Sequence, residues 1–540
     1  MEAPFVVENP PNQSPPFVDR NLYREDLSLK AAVQAAGEDA EAEGLEATGA
    51  ACGSFEAFDL GRLANENPPR LHSVDARGAR LDEVEFHPAY HELMRRSVKI
   101  GLHGSVWRRD VDGRIVANGH VARAARLYMT SQVESGHVCP LSMTNASMAA
   151  LVAAPDVASA WAQKIAGREY DPRLKPWWEK SAVTIGMGMT EAQGGTDVRA
   201  NASEARRAGD HYEIVGAKWF MSAPMCDAFL VLAQAPGGLT AFLLPRFRPD
   251  GSRNALHFQR LKEKLGNKSN ASSEVVFARA YGERVGEEGR GVATIIEMVQ
   301  FTRLDCVVAA AGHMRYGLAL AVHHASSRRA FQRRLVEQPL MRSVLADLAL
   351  ESRAATALAF RVARAFDSPN DPAEVAYARL VTPAAKYLVC KGVPGFVAEA
   401  LECLGGNGYV EDWPMARLYR EAPLNAIWEG AGNVMALDLA RAASRGGEAT
   451  SAVIADLGRR GGRPAEADAL IVQLRRGAEG ELRLVCERLA RLAATAALAE
   501  TAPEIADLHA RARADGGRVH FGARTVSSWD DALIAEVFEH

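Results

Sequence analysis

The carboxylate of Glu429 lies in a Trp-Glu-Gly turn directly before the helical pattern NVMALDLAR. A carboxylate at this position is suited to proton transfer, because its own backbone N–H and the N-terminus of the following helix can polarise an acceptor. A single Glu before a helix is more often only a favourable charge at the helix start. Both interpretations stay open at this point, and Glu429 is the candidate base.

A second candidate is the segment MGMTEAQGGTD, Met187 to Asp197. Its turn is rich in backbone N–H groups, its two glycines allow a close approach, and Thr190 and Thr196 offer hydroxyls. Such a segment can hydrogen-bond the edge of a planar heteroaromatic ring or a phosphate. An ordinary polar turn is the alternative interpretation.

The segment KWFMSA, Lys218 to Ala223, is a third candidate. In an extended chain, Trp219 and Ser222 can present an aromatic wall and a hydroxyl to one ligand. An isolated aromatic residue in a strand usually belongs to the core, so this alternative also stays open. The glycine-rich passage at 405–408 is not preceded by a strand, and a Rossmann fingerprint is therefore not supported.

The elements that must position these residues change character along the chain. Residues 1–180 begin with an extended, proline-rich arm and continue as a helical domain. Residues 181–288 contain short β-rich runs between Gly, Pro and Asp turns, which indicates a small β-domain. Residues 289–444 return to amphipathic helices, and residues 445–540 form a further helical domain after a Gly- and Arg-rich hinge. The pattern predicts an α+β fold.

The composition excludes several classes of protein. The 540 residues carry a formal net charge of −4, so nothing global calls for nucleic acid or an anionic membrane, although a local basic face can be hidden in this average. Seven cysteines without a CxxC pair are typical of reduced thiols, and we predict neither a disulfide framework nor a metal site. No apolar run approaches the roughly 20 residues of a membrane span. The acidic, proline-rich N-terminus is not a signal peptide, and we expect a soluble, cytoplasmic protein.

The order and spacing of these motifs across residues 121–441 resemble the acyl-CoA dehydrogenase family. MTEAQGGTD is similar to the flavin loop of that family, and AKWFMSA to its second flavin strand. RRAFQRRL, Arg328 to Leu335, is similar to the helix that reaches the flavin of a neighbouring subunit. LGGNGY and the IWEGAGN turn complete the set. The resemblance implies the family fold: an N-terminal helical domain, a central small β-domain and a helical bundle domain, here followed by an extra C-terminal helical domain.

The resemblance also implies FAD as the cofactor and assigns residues to it. The expected contacts of the chain's own FAD are Met187, Thr190, Thr196, Trp219 and Ser222. Arg328 and Phe331 are expected to touch the FAD of the partner subunit, and Asn433 to lie near the adenosine or pyrophosphate part.

The family reaction gives Glu429 a role. In that reaction a carboxylate removes the α-proton of an acyl-CoA thioester, while flavin N5 accepts a hydride from the β-carbon. Some members carry the base on an earlier helix, at a position that aligns with Thr302. Threonine cannot serve as that base, which leaves Glu429 as the matching residue.

The opening NPPNQSPPFVDRNLYREDLSL and the helical extension of about a hundred residues resemble one branch of the family, the AidB-type adaptive-response flavoproteins. This resemblance implies a homotetramer whose C-terminal region binds double-stranded DNA in the response to alkylation damage. The predicted DNA contacts are Arg441, Arg476, Arg483 and Arg518.

The charge of the C-terminal region tests this expectation. Between Arg441 and Arg524 there are 14 Arg and no Lys against 11 acidic residues, and the last sixteen residues bring the net charge to −1. DNA binding therefore requires the arginines to share a face. Arg476 and Arg483 recur at near-helical spacing, which favours a basic stripe. A solvated helix face with mixed charges is the alternative.

Two positions depart from the family motifs. Glu402 stands where the family has Gln before the Gly-Gly passage, and Ala431 replaces the hydroxyl-bearing residue of the Glu-Gly-Thr turn. We therefore expect weak or specialised dehydrogenase activity on acyl-CoA or another small substrate. The alternatives are a catabolic short- or branched-chain acyl-CoA dehydrogenase whose C-terminal region mediates oligomerisation, and a DNA-binding scaffold with a structural flavin.

Overall fold

The computed structural model describes residues 11–37, 42–109, 115–117, 119–513 and 529–538, so the predicted DNA contact Arg518 lies outside the described residues. The N-terminal part is helical and also contains two small antiparallel hairpins that the sequence did not indicate. Its elements are α1 (Leu27–Ala35), α2 (Ala42–Cys52), α3 (Phe55–Glu66), β1 (Arg70–Val74), β2 (Arg80–Glu85), α4 (Pro88–Lys99), β3 (Trp107–Arg109), β4 (Ile115–Ala117), α5 (His120–Val133), α6 (Val138–Leu151) and α7 (Pro155–Ile165).

A seven-stranded sheet follows the N-terminal helices. Its strands are β5 (Ile185–Thr190), β6 (Glu204–Ala208), β7 (His211–Ser222), β8 (Ala228–Ala235), β9 (Gly238–Pro245), β10 (Leu256–Leu261) and β11 (Ser272–Val285). The strand order is β10-β11-β9-β8-β5-β7-β6, and an additional pairing of β11 with β7 closes part of the sheet on itself. Strand β8 is buried along nearly its whole length, in agreement with its unbroken apolar sequence.

Helices then return as a bundle. They are α8 (Gly291–Ser327), α9 (Pro339–Phe366), α10 (Pro372–Ala385), α11 (Lys391–Cys403), α12 (Gly406–Tyr409), α13 (Pro414–Glu421) and α14 (Gly432–Arg460). Between α10 and α11 the residues Lys386–Cys390 form one turn of π-helix, so the chain passes from one helix to the next without a loop. Such turns widen a helix locally and redirect its side chains.

The segment Arg328–Leu335 is not a helix, so the expectation taken from the family was wrong in its form. After α8 the chain forms a tight hairpin from β12 (Arg329–Ala330) and β13 (Arg333–Arg334). Phe331 and Gln332 make the turn with φ values of 51° and 65°. Two successive positive φ values give a turn whose twist matches paired strands, and a helix cannot contain them.

The Gly- and Arg-rich segment expected as a hinge after residue 445 contains a break in α14. Gly447 has non-helical angles (φ 50°, ψ −115°), so two helical segments meet there at a kink without an intervening loop. Glycine tolerates this conformation because it has no Cβ. The remaining helices are α15 (Pro464–Arg476), α16 (Leu482–Thr501), α17 (Pro503–Arg513) and α18 (Asp530–Ala535).

The buried apolar side chains form two clusters. One unites the N-terminal helices, the bundle and the C-terminal helices, and it extends from Phe17 to Val537. The other fills the β-sheet and packs it against α6 and α7. Helical regions on both sides of a central β-sheet confirm the predicted α+β class. In the described part of the chain, no helix combines the length and the apolar character that crossing a membrane requires.

A buried ion pair ties α5 to α8 inside the helical core. The two terminal nitrogens of Arg123, Nη1 and Nη2, donate to the carboxylate of Asp305 at 2.6 and 2.7 Å. The two side chains are 2% and 6% exposed, so neither charge has water to compensate for the loss of the other. This pair fixes α8 close to the point where it meets the Glu429 turn.

Candidate active site

The backbone of the Glu429 turn is held in a left-handed conformation. Glu429 has a φ of 57°, which is unusual for a residue with a Cβ and is maintained only when neighbouring groups impose it. Arg303 Nε on α8 donates to Glu429 O at 3.1 Å, and Lys386 Nζ donates to Gly430 O at 2.8 Å. Two buried cations from different helices therefore fix the turn.

The carboxylate of Glu429 accepts a hydrogen bond from Thr302, the residue that aligns with the alternative base position. Thr302 Oγ1 donates to Glu429 Oε2 at 2.7 Å. Burial raises the pKa of the Glu429 carboxyl above its ordinary value, while Thr302, Lys386 and Arg303 act in the opposite direction. A carboxylate with a raised proton affinity, held in one orientation, is a suitable general base.

Asp438 on α14 orders the cations around the turn. Its carboxylate accepts hydrogen bonds from Arg303 at 2.7 Å and from Arg379 on α10 at 2.7 and 3.0 Å. Since Arg303 also bonds the backbone of Glu429, the ion cluster connects α8, α10 and α14 to the turn.

The sheet brings the residues of the two predicted flavin motifs together. Met187 on β5 lies opposite Ser222 on β7, and Thr190 lies opposite Phe220. The loop after β5 folds back so closely that a Cβ at Gly195 would lie 2.3 Å from Thr190 Oγ1. A larger residue at position 195 would have to displace the Thr190 side chain, which explains part of the glycine content of the motif.

Two further predicted flavin residues are accessible from outside the sheet. Thr196 is exposed in the same loop, and Trp219 is 41% exposed on β7. Trp219 is not a core residue, because its ring faces outward with Lys262 Nζ 3.5 Å from the ring centroid. An exposed indole next to a cation is available to a planar ligand.

The turn that carries Glu429 borders the β-sheet. Trp428, directly before Glu429, packs against the apolar cluster of the sheet, as Met187 of the flavin motif does, and also against the cluster of the helical bundle. Burial raises the pKa of the Cys139 thiol, a member of the sheet cluster, to about 12. The site occupies the junction between the β-sheet and the helical bundle.

Arg328 and Phe331 are not part of this junction. They follow α8, in which Ser327 lies 25 positions after Thr302, about 38 Å along the helix at 1.5 Å per residue. Phe331 is 93% exposed at the tip of the hairpin. Within this chain they lie far from Glu429, and their contact with the FAD of a partner subunit stays a prediction.

The comparisons with known proteins agree with this geometry. Family models match residues 12–172 (adaptive response protein AidB N-terminal domain), 186–280 (acyl-CoA dehydrogenase, middle domain) and 289–444 (acyl-CoA dehydrogenase, C-terminal domain). AidB of Escherichia coli (strain K12) is 47% identical over 432 residues, which cover 80% of this chain and 79% of AidB.

The chain belongs to the acyl-CoA dehydrogenase family, in its AidB branch. The resemblance found in the sequence is thereby confirmed. The predicted domain boundaries at 180, 288 and 444 stay predictions.

Solved structures of this family have the same architecture. Caenorhabditis elegans ACDH-11, solved in complex with C11-CoA, superposes with a TM-score of 0.81 at 26% identity and covers 99% of this chain and 92% of its own. An acyl-CoA dehydrogenase from Bacillus anthracis, solved with FAD, gives a TM-score of 0.65 at 17% identity over 83% of this chain and 79% of its own. The predicted acyl-CoA dehydrogenase-like fold class is confirmed.

Asn433, a predicted cofactor residue, lies beside Arg483, one of the predicted DNA contacts. Asn433 is exposed in the first turn of α14, where its Oδ1 accepts from Arg483 Nη1 at 3.4 Å. Arg483 Nε also donates to the Tyr387 hydroxyl at 3.2 Å. Arg483, predicted as a DNA contact, therefore lies beside a predicted cofactor residue.

The basic stripe expected on one helix is not present. Arg476 ends α15, and the chain turns at Gly477 (φ 63°) before Arg483 begins α16, so the two arginines lie on different helices. Arg441 on α14 and Arg476 are both exposed. Their role in DNA binding stays a prediction.

A cavity of about 860 Å³ lies elsewhere, between the N-terminal arm, α3, the end of α8 and α13. Phe17, Phe58 and Tyr316 are among its walls. None of the predicted flavin residues and none of the residues around Glu429 lines it. The cavity is therefore not the position in which the family motifs place the flavin.

Several residues of the site were not found from the sequence. Lys386 and Arg303 are isolated cations in apolar helices, and only the fold shows that both point at the Glu429 turn. Glu191 is inside the flavin motif, but its partner Lys218 is 27 positions away; Lys218 Nζ donates to Glu191 Oε1 at 2.6 Å in a buried ion pair. The available sequence signal for this ion pair was a lysine directly before Trp219 in a predicted β-strand.

Proposed function

We propose that this chain is an FAD-dependent acyl-CoA dehydrogenase of weak or specialised activity, in which Glu429 removes the α-proton of a thioester substrate. The observation that carries the proposal is the fixed position of Glu429: Thr302 bonds one oxygen of its carboxylate, and Arg303 and Lys386 bond the backbone of its turn. The raised pKa of this carboxyl agrees with a proton-accepting role.

The cofactor is FAD, as predicted. The chain belongs to the acyl-CoA dehydrogenase family, and the Bacillus anthracis acyl-CoA dehydrogenase with the same fold was solved with FAD. The residues present fit this group. The loop after β5 approaches Thr190 closely at Gly195, and the exposed Thr196 offers a hydroxyl that can bond a ring edge or a phosphate. Met187, Ser222 and Trp219 would hold the ring system, and Asn433 the phosphate or adenosine part.

FAD, when bound, supplies the group that accepts a hydride from the β-carbon of the substrate. The protein contributes the orientation and the proton acceptor. Thr302 keeps one carboxylate oxygen of Glu429 occupied, so the other oxygen is available to the substrate α-proton. Arg303 and Lys386 fix the carbonyls of Glu429 and Gly430, and we assign the N–H of Glu429 as the donor for the thioester oxygen.

The test is the absorption spectrum of the purified protein during anaerobic titration with straight and branched acyl-CoA thioesters. We expect a flavin spectrum that at least one thioester bleaches. Glu429→Gln should bind FAD equally and resist bleaching by that thioester. A wild-type flavin that no thioester reduces, together with an indistinguishable Glu429→Gln variant, contradicts the catalytic role and favours a scaffold with a structural flavin.

We further propose that the C-terminal region binds double-stranded DNA in the response to alkylation damage and that the protein is a homotetramer. The 47% identity to AidB and the name of the matching N-terminal family, an adaptive response protein, support this role. Arg441 and Arg476 are exposed and are the available phosphate contacts. As the family resemblance implies, we assign Arg328 and the exposed Phe331 to the FAD of a partner subunit, and this assignment requires assembly.

DNA affinity at two salt concentrations tests this second role. Each lost phosphate contact should reduce the slope of log K against log salt by about 0.9, so the double variant Arg441→Gln/Arg476→Gln should bind more weakly with a shallower slope. Arg459→Gln is the matched control, because Arg459 is already paired with Asp456 at 2.9 Å. Absence of salt-sensitive binding by the wild type would leave a catabolic dehydrogenase. Light scattering gives the number of subunits.

A further inference from the structure

The N-terminal arm lies against the hairpin that follows α8. Asn12 Nδ2 donates to Arg329 O at 2.9 Å, and Asn12 Oδ1 accepts from Arg329 N at 2.6 Å. The backbone carbonyl of Asn12 accepts from Arg328 Nη1 at 2.6 Å. One side chain thus satisfies both backbone groups of Arg329, as a neighbouring strand would, while the backbone of the same residue holds the guanidinium of Arg328.

The next residues of the arm reach two other parts of the bundle. Gln13 Oε1 accepts from Asn407 Nδ2 at 2.9 Å, in the glycine-rich passage. The Ser14 hydroxyl is 2.9 Å from His324 Nδ1 on the last turns of α8. The arm therefore connects the hairpin with the glycine-rich passage, two segments of the family motifs that are distant in sequence.

The arm is built to stay in this position. Pro11, Pro15 and Pro16 restrict the backbone on both sides of the contacts, which lowers the entropy that ordering the segment removes. Asn12 has a φ of 64°, a conformation that asparagine tolerates better than most residues. Phe17 is 8% exposed and anchors the end of the arm in the helical core.

The hairpin has few other supports. Its strands contain two residues each, and pairs of strands this short are only marginally stable by themselves. Its own bonds include Leu335 N to Arg328 O at 2.9 Å and Gln338 Nε2 to Ala330 O at 2.9 Å. Both bonds hold backbone carbonyls of this segment, and neither involves the guanidinium of Arg328. The arm contributes the bond that orients the Arg328 guanidinium.

We propose that the N-terminal arm positions the hairpin for the flavin of the partner subunit, with Asn12 as the positioning residue for Arg328. The inference rests on the proposed function, because Arg328 and Phe331 are assigned to the partner's FAD there. The arm thus makes retention of FAD in one subunit depend on the N-terminus of another.

The test measures release of FAD, by its recovered fluorescence on dilution, from the full-length holoprotein. Asn12→Gly keeps the positive φ and the carbonyl that bonds Arg328, and it removes both side-chain bonds to Arg329. Because those two bonds hold the carbonyl of residue 12 against Arg328, we expect FAD to be released about tenfold faster, the scale of one to two hydrogen bonds. Asn12→Asp keeps the acceptor for Arg329 N and should rescue part of the loss. Asn67→Ala is the matched control, since this exposed asparagine bonds only within α3 at Leu63 O.

Arg328→Ala and the double variant separate the possible results. If Asn12 acts through Arg328, the double variant Asn12→Gly/Arg328→Ala releases FAD no faster than Arg328→Ala alone. If Arg328→Ala accelerates release and Asn12→Gly does not, the positioning role is overturned and the proposed function stands. If neither variant changes release, the cross-subunit assignment of Arg328 in the proposed function is wrong, and this inference fails with it.

Discussion

Replacing Thr302 by Val tests whether this hydroxyl controls the ionisation of Glu429. Valine keeps the branched shape of threonine and removes the donor that lies 2.7 Å from Glu429 Oε2. Burial already raises the pKa of Glu429, and the Thr302 bond is the first of the effects that lower it. Its loss therefore raises the pKa of Glu429 further.

The size of the effect follows from the kind of bond removed. A hydrogen bond to a charged group contributes about 1.5–3 kcal/mol. Since 1.36 kcal/mol corresponds to a factor of ten, the ratio of ionised to protonated Glu429 should fall roughly tenfold to a hundredfold. At a pH where the wild-type carboxylate is ionised, much of the variant population carries the proton and cannot act as a base.

The assay is stopped-flow, anaerobic flavin reduction by the best thioester of the panel, across a pH series. The Thr302→Val profile should move to higher pH, with the largest loss of rate at the acidic end and recovery at the alkaline end. Thr294→Val is the matched control, because Thr294 is on the same helix and bonds Arg290 O instead. A Thr302→Val profile that coincides with the wild type, or that moves to lower pH, refutes this reasoning.

Three further predictions concern stability. Because the folded-state pKa of Glu429 is raised, the stability that this group contributes is present at pH values below the ordinary glutamate pKa and is lost as the pH rises above it. Glu429→Gln should therefore raise the melting temperature more at pH 8 than at pH 5. An equal change at both pH values would contradict this. Asp305→Ala leaves the Arg123 charge buried without its partner and should cost about 3–5 kcal/mol in urea unfolding, whereas the exposed Asp59→Ala control should cost below about 1 kcal/mol. The pKa of Glu421 is raised to about 6 by burial and by Glu134. From the ordinary 4.5 this corresponds to roughly 2 kcal/mol of stability that is present at low pH and lost as pH rises through 6. Urea unfolding over this window should show the loss in the wild type and not in Glu421→Gln, and parallel curves would exclude it.

The local chemistry of the site was visible in the sequence. The Trp-Glu-Gly turn, the glycine-rich flavin loop and the Trp219 strand are short segments in which residue type and spacing carry the information. The family resemblance ordered these segments and identified the α+β fold. The pairing of Met187 with Ser222 was not predicted, although the resemblance assigned both residues to the FAD.

The groups that tune the site were not predictable, because they depend on contacts between distant segments. Lys386 points at the Glu429 turn through a single turn of π-helix, which no sequence pattern indicated. Thr302 was considered only as a residue that cannot be a base, and its bond to Glu429 required the fold.

The two segments that follow long helices had different outcomes. The segment SRGG suggested a hinge, and Gly447 does interrupt α14 with a kink, although no loop separates the two helical segments. RRAFQRRL was expected to be helical from the family resemblance, but Phe331 and Gln332 adopt positive φ values in a hairpin. In this segment, hydrogen bonds from Asn12 of the arm and from Gln338 to the hairpin backbone stabilise the hairpin over a helix, whatever the helix propensity of its residues.

Exchange of the substrate α-proton with solvent tests the central role of Glu429 most directly. The oxidised holoprotein and an acyl-CoA thioester are incubated anaerobically in D₂O, and mass spectrometry measures deuterium at the α-carbon of the recovered thioester. The geometry predicts that the wild type incorporates deuterium and that Glu429→Gln, with FAD still bound, does not. Equal incorporation by both proteins would show that another group removes the proton and would contradict the account.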